Sequence, residues 1–497
     1  MNKAFEIQGV HIKFDNSYVR ELIGFYALCQ AEAVPAPRWI KFNHELAEEL
    51  GLRADDFDTQ QGAEIFSGNI VPPGAVPIAQ AYAGHQFGHL SPQLGDGRAL
   101  LLGEVIDRNG LRRDIQLKGS GRTPFSRNGD GKAAIGPMLR EYVMGEAMYH
   151  LGIPTTRALA VVATGESVRR DISLPGAVLT RVAASHIRIG TFEYFAVRKD
   201  IESVRKLADY TIKRHYPKLV GKPYIDFLHA VAARQAELIA KWMCVGFIHG
   251  VMNTDNVSLS GETIDYGPCA FMEHYDPATV FSSIDDGGRY AFGNQPVIAQ
   301  WNLARFAEAM LPLLDKDDDR AMQIATDAIE AFLDQFGNTW LAMMRNKLGL
   351  ELIEADDAAL AHEFLDAMQA GHADYTLAWR NLAYAAEFHA APLRSVFSGD
   401  KTKLDEWLPR WLVRLSRETK PIAEITAGMR RVNPYVIPRN HLVEAALEAA
   451  TTNNDFTPFN QLLEVLRDPY SERTAAALYA IPATPEQTAG YRTFCGT

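Results

Sequence analysis

Cysteine is scarce. The 497-residue chain has four (Cys29, Cys244, Cys269 and Cys495), with no CxxC spacing among them. That excludes a disulfide framework and a structural zinc site of the paired-cysteine kind, and it fits a reducing compartment. Long hydrophobic runs are lacking as well. Spanning a bilayer takes ~18 apolar residues without charges; the best candidate, residues 229–252, is interrupted by Arg234, Glu237 and Lys241. The opening MNKAFEIQGVHIKFD has neither an apolar h-region nor an Arg/Ser-rich amphipathic pattern, so no secretory or transit peptide is expected. Basic charge is in deficit: 50 Lys+Arg against 61 Asp+Glu leave a net charge of −11. A general nucleic-acid binder relying on backbone charge is therefore not expected. The expectation is a soluble cytoplasmic protein with no membrane or nucleic-acid partner.

What is present is ordinary globular composition, 47% hydrophobic and 22% charged. The length exceeds the roughly 250–300 residues at which a single core stops growing, so two lobes are expected. Short apolar runs split by glycines fill the first half: ALLLGEVID (99–107), DIQLK (114–118) and AVLTRVA (177–183). They read as strands, the last bounded by Pro175-Gly176. Between them, residues 137–151 carry Met138, Leu139, Tyr142, Val143, Met148 and Leu151 at three- and four-residue steps, an amphipathic helix ended near Gly152 and Pro154. Residues 227–247 form a second helical pattern, and beyond 299 the pattern is mostly helical. The fold class is α+β: a mixed α/β front lobe feeding a helical rear lobe, with a hinge just after Ala183.

Three glycine-bearing loops occupy the front lobe: LGDGR (94–98), KGSGR (118–122) and NGDGK (128–132). None has the spacing of a named phosphate loop. Gly131 has no glycine five positions before it, and KGSGRTP lacks the third glycine of GxGxxG. Each alone is compatible with a plain hairpin turn. Arg98, Lys118, Arg122, Arg181 and Arg188 accompany them, however, and basic residues beside flexible turns in an acidic protein suit an anion. In a strand of the 114–118 register Ile115 and Leu117 share one face and Gln116 and Lys118 the other, so Lys118 points to solvent or into a cleft. Glu141, on the following helix, is either its ion-pair partner or a separate solvated charge.

The sharpest local signal is HGVMNTDNVSLSGETIDYG, residues 249–267. Two strand-like runs, 257–259 and 262–264, flank Ser260-Gly261, a two-residue hairpin signal. Folding there pairs Leu259 with Glu262, Val257 with Ile264, and Asn256 with Asp265, which would bring an amide oxygen and a carboxylate side by side. Hard-oxygen pairs of that kind suit Mg²⁺ or Mn²⁺; a turn with Asn and Asp in capping roles is the alternative. Asp255, next to Asn256, is a candidate proton acceptor. Elsewhere, His85 and His89 stand at i, i+4 without the zincin glutamate and read as structural histidines. Asp285-Asp286 and Asp317-Asp318-Asp319 read as solvated loop charges. Cys495 reads as a free tail thiol.

A strand lysine, a glutamate on the next helix, an Asp–Asn pair and a D-Y-G follow the order of parts in a protein kinase. There is no HRD: His249-Gly250-Val251 stands near its place, and Asp255 adjoins Asn256 instead of preceding it by five residues. Together with YAGHQFGHLSPQLGDGRALLLGE (82–104), QLKGSGRTPFSRNGDGKA (116–133), REYVMGEAMYHLGIPTTRAL (140–159), IDYGPCAFM (264–272) and GRYAFGNQPVIAQWNLARFAEAMLPL (288–313), these features resemble the selenoprotein O family, also called YdiU. The resemblance implies a protein-kinase-like two-lobed fold that transfers AMP from ATP to Ser, Thr or Tyr hydroxyls of proteins, self-modification included. Transfer of UMP from UTP, with manganese, is implied for some members. The nucleotide would lie flipped relative to a kinase. The implied layout is an N-terminal extension (1–75), an N-lobe (76–185), a C-lobe (186–400) and a C-terminal helical extension (401–497). Carried onto this chain, Gly95, Gly97, Arg98, Lys118, Asp130, Gly131, Arg181, Arg188 and Asp265 would hold the nucleotide. Glu141 would pair Lys118, Asp255 would accept the proton, and Asn256 with Asp265 would bind Mg²⁺ or Mn²⁺. Cys495 stands where eukaryotic members carry selenocysteine; the tail has no second cysteine, and Cys269 is the other thiol that a redox pairing would involve. A kinase delivering the γ-phosphate and a non-catalytic nucleotide-binding scaffold are the rival readings.

Overall fold

A computed structural model describes residues 12–494. Among the described residues, nine strands precede residue 184: β1 (Tyr26–Leu28), β2 (Arg38–Phe42), β3 (Ile78–Gln80), β4 (Gly84–Gln86), β5 (His89–Ser91), β6 (Ala99–Ile106), β7 (Arg112–Lys118), β8 (Arg157–Arg169) and β9 (Ser173–Ala183). Seven form one sheet in the order β1-β3-β6-β7-β9-β8-β2, while β4 and β5 make a separate hairpin. All pairings in the large sheet are antiparallel. The segment before residue 76 supplies both edge strands, β1 and β2, so it completes the sheet.

Strand alternation divides the sheet's side chains between two cores. Ile115, Leu117, Leu100, Leu102, Leu159 and Val178 face a cluster with Phe57 and Phe66 from the helical segment 54–67. Leu101, Val161 and Leu179 face the opposite way, against Leu139, Tyr142 and Val143 of the helix Ile135–His150. Gln116 and Lys118 therefore leave the first core on the face that looks toward this helix, as the register of residues 114–118 requires. The helix matches the predicted 137–151 segment to within two residues.

The helix predicted over 227–247 runs Tyr224–Val245. It buries Phe227, Leu228, Val231, Ala232, Leu238 and Ile239 and stops at Gly246, whose φ of 74° only glycine adopts at little cost. The chain then enters a short antiparallel pair, β10 (Phe247–Ile248) with β11 (Ala270–Phe271), which closes the base of the loop 249–269. Helices dominate from Gln295 onward. Among the described residues, no helix is long and apolar enough to cross a membrane.

Three sequence expectations need correction. The hairpin about Ser260-Gly261 does not form a ladder. A turn is present one residue earlier, centred on Leu259-Ser260, with the Gly261 amide donating to the Ser258 carbonyl at 3.2 Å. The run 257–259 pairs instead with 187–189 (Ile189 N–H to Val257 O, 3.0 Å; Leu259 N–H to Ile187 O, 2.9 Å). Thr263 pairs with the chain entering β8 (Thr263 N–H to Pro154 O, 2.9 Å; Thr156 N–H to Thr263 O, 3.0 Å). Each run found a better-placed partner than its neighbour in sequence. Asp285 is buried, not solvated, because its carboxylate accepts the amides of Arg289 and Tyr290 at 2.9 and 2.8 Å. Asp317 caps the helix Asp318–Leu348 by accepting from the Arg320 amide.

Candidate nucleotide-binding and catalytic site

The loop 249–269, the inner face of the sheet and the helix Ile135–His150 enclose a cavity of about 1100 Å³. Its far wall comes from residues 444–452 and the tail segment 490–494. Lys118 lines it from the end of β7, Arg181 from β9 and Arg188 from the turn that follows. Registry explains the grouping: Gln116 on β7 lies opposite Arg181 on β9, and Arg181 Nε donates to Gln116 Oε1 at 2.7 Å.

These three cations converge on Asp265. Lys118 Nζ donates to Asp265 Oδ1 at 3.1 Å, Arg181 Nη1 to the same oxygen at 2.5 Å, and Arg188 Nη1 to Oδ2 at 3.1 Å. Glu141 shares the load, accepting from Lys118 at 2.5 Å and Arg181 at 3.2 Å. Lys118 is 5% exposed, so the ion-pair alternative is the one realised. Burial works against the Asp265 charge, yet Arg181, Lys118 and Arg188 hold its carboxyl well below the ordinary value. Three cations and two carboxylates thus form one buried network, and cations grouped at a cavity wall offer hydrogen-bond donors to an anion. Asp265 itself sits at a φ of 64°, uncommon for a non-glycine residue and found in the turn that aims its carboxylate inward.

Asp255 and Asn256 lie on a single 3₁₀ turn, Thr254–Asn256. Arg188 Nη1 grips the Asp255 carbonyl at 2.7 Å. Gln86 Nε2 donates to Asp255 Oδ2 at 3.3 Å, while Oδ1 is buried without a partner. Burial pushes the Asp255 carboxyl up to about 6, with Arg188 opposing the rise. Asn256 Nδ2 donates to the Val251 carbonyl at 3.0 Å, which turns its oxygen the other way. His249, in the place of the missing HRD histidine, is buried and hydrogen-bonds the Ile264 carbonyl at 2.9 Å, next to Asp265. It braces the loop from within.

Of the candidates named from sequence, Gly97, Arg98, Lys118, Glu141, Arg181, Arg188, Asp255, Asn256 and Asp265 all line this cavity. Gly95 stands just behind the wall, its amide on the Tyr82 carbonyl and its Cα against Phe125. Asp130 and Gly131 are elsewhere: Asp130 binds Arg170 at 2.8 and 3.2 Å, and Gly131 packs on the Gly121 carbonyl. Cys495 lies outside the described residues. Cys269 is buried, and burial pushes its thiol up to about 12.

The chain's similarity to known proteins accords with this site. A family model described as "Protein adenylyltransferase SelO" matches residues 8–467. The chain belongs to the SelO family. A Bradyrhizobium relative named "Protein nucleotidyltransferase YdiU" is 59% identical over 98% of this chain and 100% of its own length. One from Cereibacter sphaeroides with the same name is 59% identical over 98% and 99%, and one from Rhodopseudomonas palustris is 56% identical over 98% and 99%. The protein is accordingly an enzyme of the nucleotidyltransferase class.

Several residues of this SelO-family site were not visible from motif spacing. Tyr82 lies under Arg188, the guanidinium carbon 4.5 Å from the ring centre. Asp96 is buried in the cavity wall, accepting from the Gln80 amide and Gln116 Nε2 at 3.0 and 3.2 Å. Burial pushes its carboxyl up to about 6, against the pull of Arg188. His85 Nδ1 meets Glu193 at 2.5 Å, Glu193 accepts from Thr254 Oγ1 at 2.6 Å, and that hydroxyl oxygen accepts the His85 amide at 2.7 Å. This closed ring fixes the turn that carries Asp255. His85 thus has a structural partner, while His89 is exposed on β5. The blocks 82–91 and 94–98 contained Tyr82, His85, Gln86 and Asp96, but nothing in sequence tied them to Glu193.

Proposed function

We propose that the protein is a protein adenylyltransferase of kinase-like, two-lobed architecture that transfers AMP from ATP to Ser, Thr or Tyr hydroxyls, on partner proteins and on itself, in the cytoplasm. UMP transfer from UTP is the variant of the same chemistry. The observation that carries the reading is the three-cation cluster of Lys118, Arg181 and Arg188, set beside a buried Asp255 whose Oδ1 has no partner. A triphosphate supplies the anion that such a cluster suits. An incoming hydroxyl supplies the donor that Asp255 Oδ1 lacks.

The chemistry then balances. The hydroxyl oxygen attacks the α-phosphorus, the bond from that phosphorus to the bridging oxygen breaks, and pyrophosphate leaves with the electron pair. Asp255 orients the hydroxyl and takes its proton at Oδ1; a carboxyl raised by burial toward neutrality is a better base than a solvated one. Lys118, Arg181 and Arg188 offset the charge that develops on the departing pyrophosphate. Arg98 and Gly97 line the same wall and would contact the nucleotide there. The Asn256 oxygen and the Asp265 carboxylate are hard donors of the kind that suit Mg²⁺ or Mn²⁺, with phosphates and water completing the shell; Asp265, whose two oxygens are held by Lys118, Arg181 and Arg188, would exchange one of those contacts for the ion. When bound there, the ion supplies charge neutralisation on the phosphates.

Incubation with ATP labelled on either the α- or the γ-phosphorus tests the reading. Label should enter protein from the α position alone. Label from the γ position would make the protein a kinase, and label from neither, with nucleotide bound, would make it a scaffold.

A further inference from the structure

A second cavity, of about 370 Å³, adjoins the first and shares Tyr491 with it as a common wall. It lies under the segment 272–281 that leads out of the loop 249–269, against the start of the helix Asn440–Asn453 and the short helix Pro485–Thr488. None of the residues assigned to nucleotide chemistry lines it.

Two of its buried polar groups are acceptors without donors. Glu273, 5% exposed, spends Oε2 on Arg439 at 2.6 Å, and its Oε1 has no partner. Asn440, 4% exposed, donates Nδ2 to the Phe271 carbonyl at 2.8 Å, which identifies the other terminal atom as oxygen; that Oδ1 also has no partner. His441 Nδ1 is a third buried atom without one. Leaving such groups unsatisfied is costly. Asp276 adds a second carboxylate, and the cavity's described lining residues include no lysine or arginine. Tyr275, Phe281 and Tyr491 add aromatic faces, the last two rings 5.7 Å apart. Among the described residues, no three His, Cys, Asp or Glu side chains converge as metal ligands, so the acceptors suit an organic cation over a metal ion. Acceptor oxygens, carboxylate charge and aromatic faces together recognise a planar, multi-donor cation.

We infer that this cavity binds a guanidinium group, the arginine side chain of the protein that receives the nucleotide. The inference rests on the proposed protein-modifying function for its occupant's identity. The shared Tyr491 wall would seat that arginine on the side of the nucleotide cavity formed by the tail segment. Glu273 Oε1 and Asn440 Oδ1 accept its N–H groups, and the Tyr275 and Tyr491 rings flank its plane.

The test uses the full-length protein with two blocked amino acids as probes, N-acetyl-L-argininamide and its neutral isostere N-acetyl-L-citrullinamide, titrated by NMR. The arginine probe should bind at least about tenfold tighter, the range of a charge-assisted hydrogen bond to a buried carboxylate. Two variants probe the site independently: Glu273→Gln, which removes the charge, and Thr488→Trp, which fills the cavity from its half-buried rim. Each should weaken the arginine probe to the level of citrulline while ATP affinity stays unchanged. Equal binding of the two probes, absence of binding by either, or undiminished binding in Thr488→Trp would overturn the inference and leave the cavity to water. An ammonium probe, L-lysinamide, binding as tightly as argininamide would overturn the guanidinium assignment. The labelled-ATP experiment fails or succeeds independently: loss of α-label transfer with argininamide still bound would refute the function and keep the site.

Discussion

Gly84 makes the most exposed prediction of the catalytic geometry, because its role comes from close approach alone. A Cβ at this position would lie 2.4 Å from Asp255 Oδ1, 2.8 Å from Asp255 Cγ and 2.8 Å from Leu94 Cδ1. Contact between carbon and a carboxylate oxygen needs roughly 3.2–3.4 Å, so in Gly84→Ala the carboxylate must retreat by about 1 Å, and Leu94 blocks the methyl from yielding instead. A misplacement of about 1 Å in a catalytic group commonly costs on the order of 10² in rate. Stability should change far less: overpacking costs about 1–3 kcal/mol, offset by about 0.4–1 kcal/mol from the stiffer unfolded chain. ATP affinity should hold, since the atoms nearest the added methyl belong to Asp255 and Leu94, not to Lys118, Arg181 or Arg188. The assay is steady-state incorporation of α-labelled nucleotide, with ATP binding measured separately by calorimetry. Gly287→Ala is the control, a glycine whose added methyl meets nothing within 4 Å. Wild-type transfer by Gly84→Ala would refute Asp255 as the proton acceptor, and a matching loss in Gly287→Ala would refute the steric argument.

The charge cluster predicts that Asp265→Asn leaves three buried cations facing Glu141 alone. Transfer should fall by about 10²–10³ and stability by about 3–5 kcal/mol, read by activity and chemical denaturation; a variant as stable as wild type would contradict the convergence of the three cations. Gln86→Leu removes the donor to Asp255 Oδ2 and should lower kcat several-fold with KM for ATP unchanged; a rise in KM alone would place Gln86 in nucleotide binding instead. EDTA should abolish transfer and excess Mg²⁺ or Mn²⁺ restore it, and full transfer in chelator would remove Asn256 and Asp265 as metal ligands. Acid stability should report on His186, buried with Nδ1 on Asp114 at 2.9 Å and held down to about 4 by burial, with Arg181 adding to the fall. Below pH ~6.5 the unfolded chain takes up a proton that the folded chain refuses, so this contribution is lost as pH falls toward 4, about 2–3 kcal/mol in all. Denaturation of wild type and His186→Gln at pH 7 and 4.5 should show wild type losing more by that amount; parallel losses would mean that His186 is charged in the fold.

What could be read from sequence and what could not divide along one physical line. Elements whose signal is local were legible: the three strand runs, the two long helices, and the Lys118 face set by period-two alternation. Pairing partners were not, because a strand-like run carries no mark of which distant edge will satisfy its backbone. The stretch 249–267 illustrates the cost. A turn is present, yet the two runs beside it bond to residues 187–189 and 154–156. That difference changes how the site is held. In a hairpin, Asn256 and Asp265 would position each other directly and move as one unit. Here Asn256 is tied through Val257 to the turn carrying Arg188, and Asp265 through Thr263 to the entry of β8 and through its carboxylate to β7 and β9. The two oxygens are thus referenced to separate parts of the scaffold, and their spacing depends on how the segment after β9 sits against the sheet. Bound anion and cation would pull those parts together, since Arg188 reaches both the Asp255 carbonyl and Asp265 Oδ2. Amide exchange should therefore slow at Ile189, Leu259 and Thr263 together when ATP and Mg²⁺ are added. Protection confined to the residues nearest the nucleotide would mean that the loop is already rigid and that Arg188 is only a ligand, not a clasp.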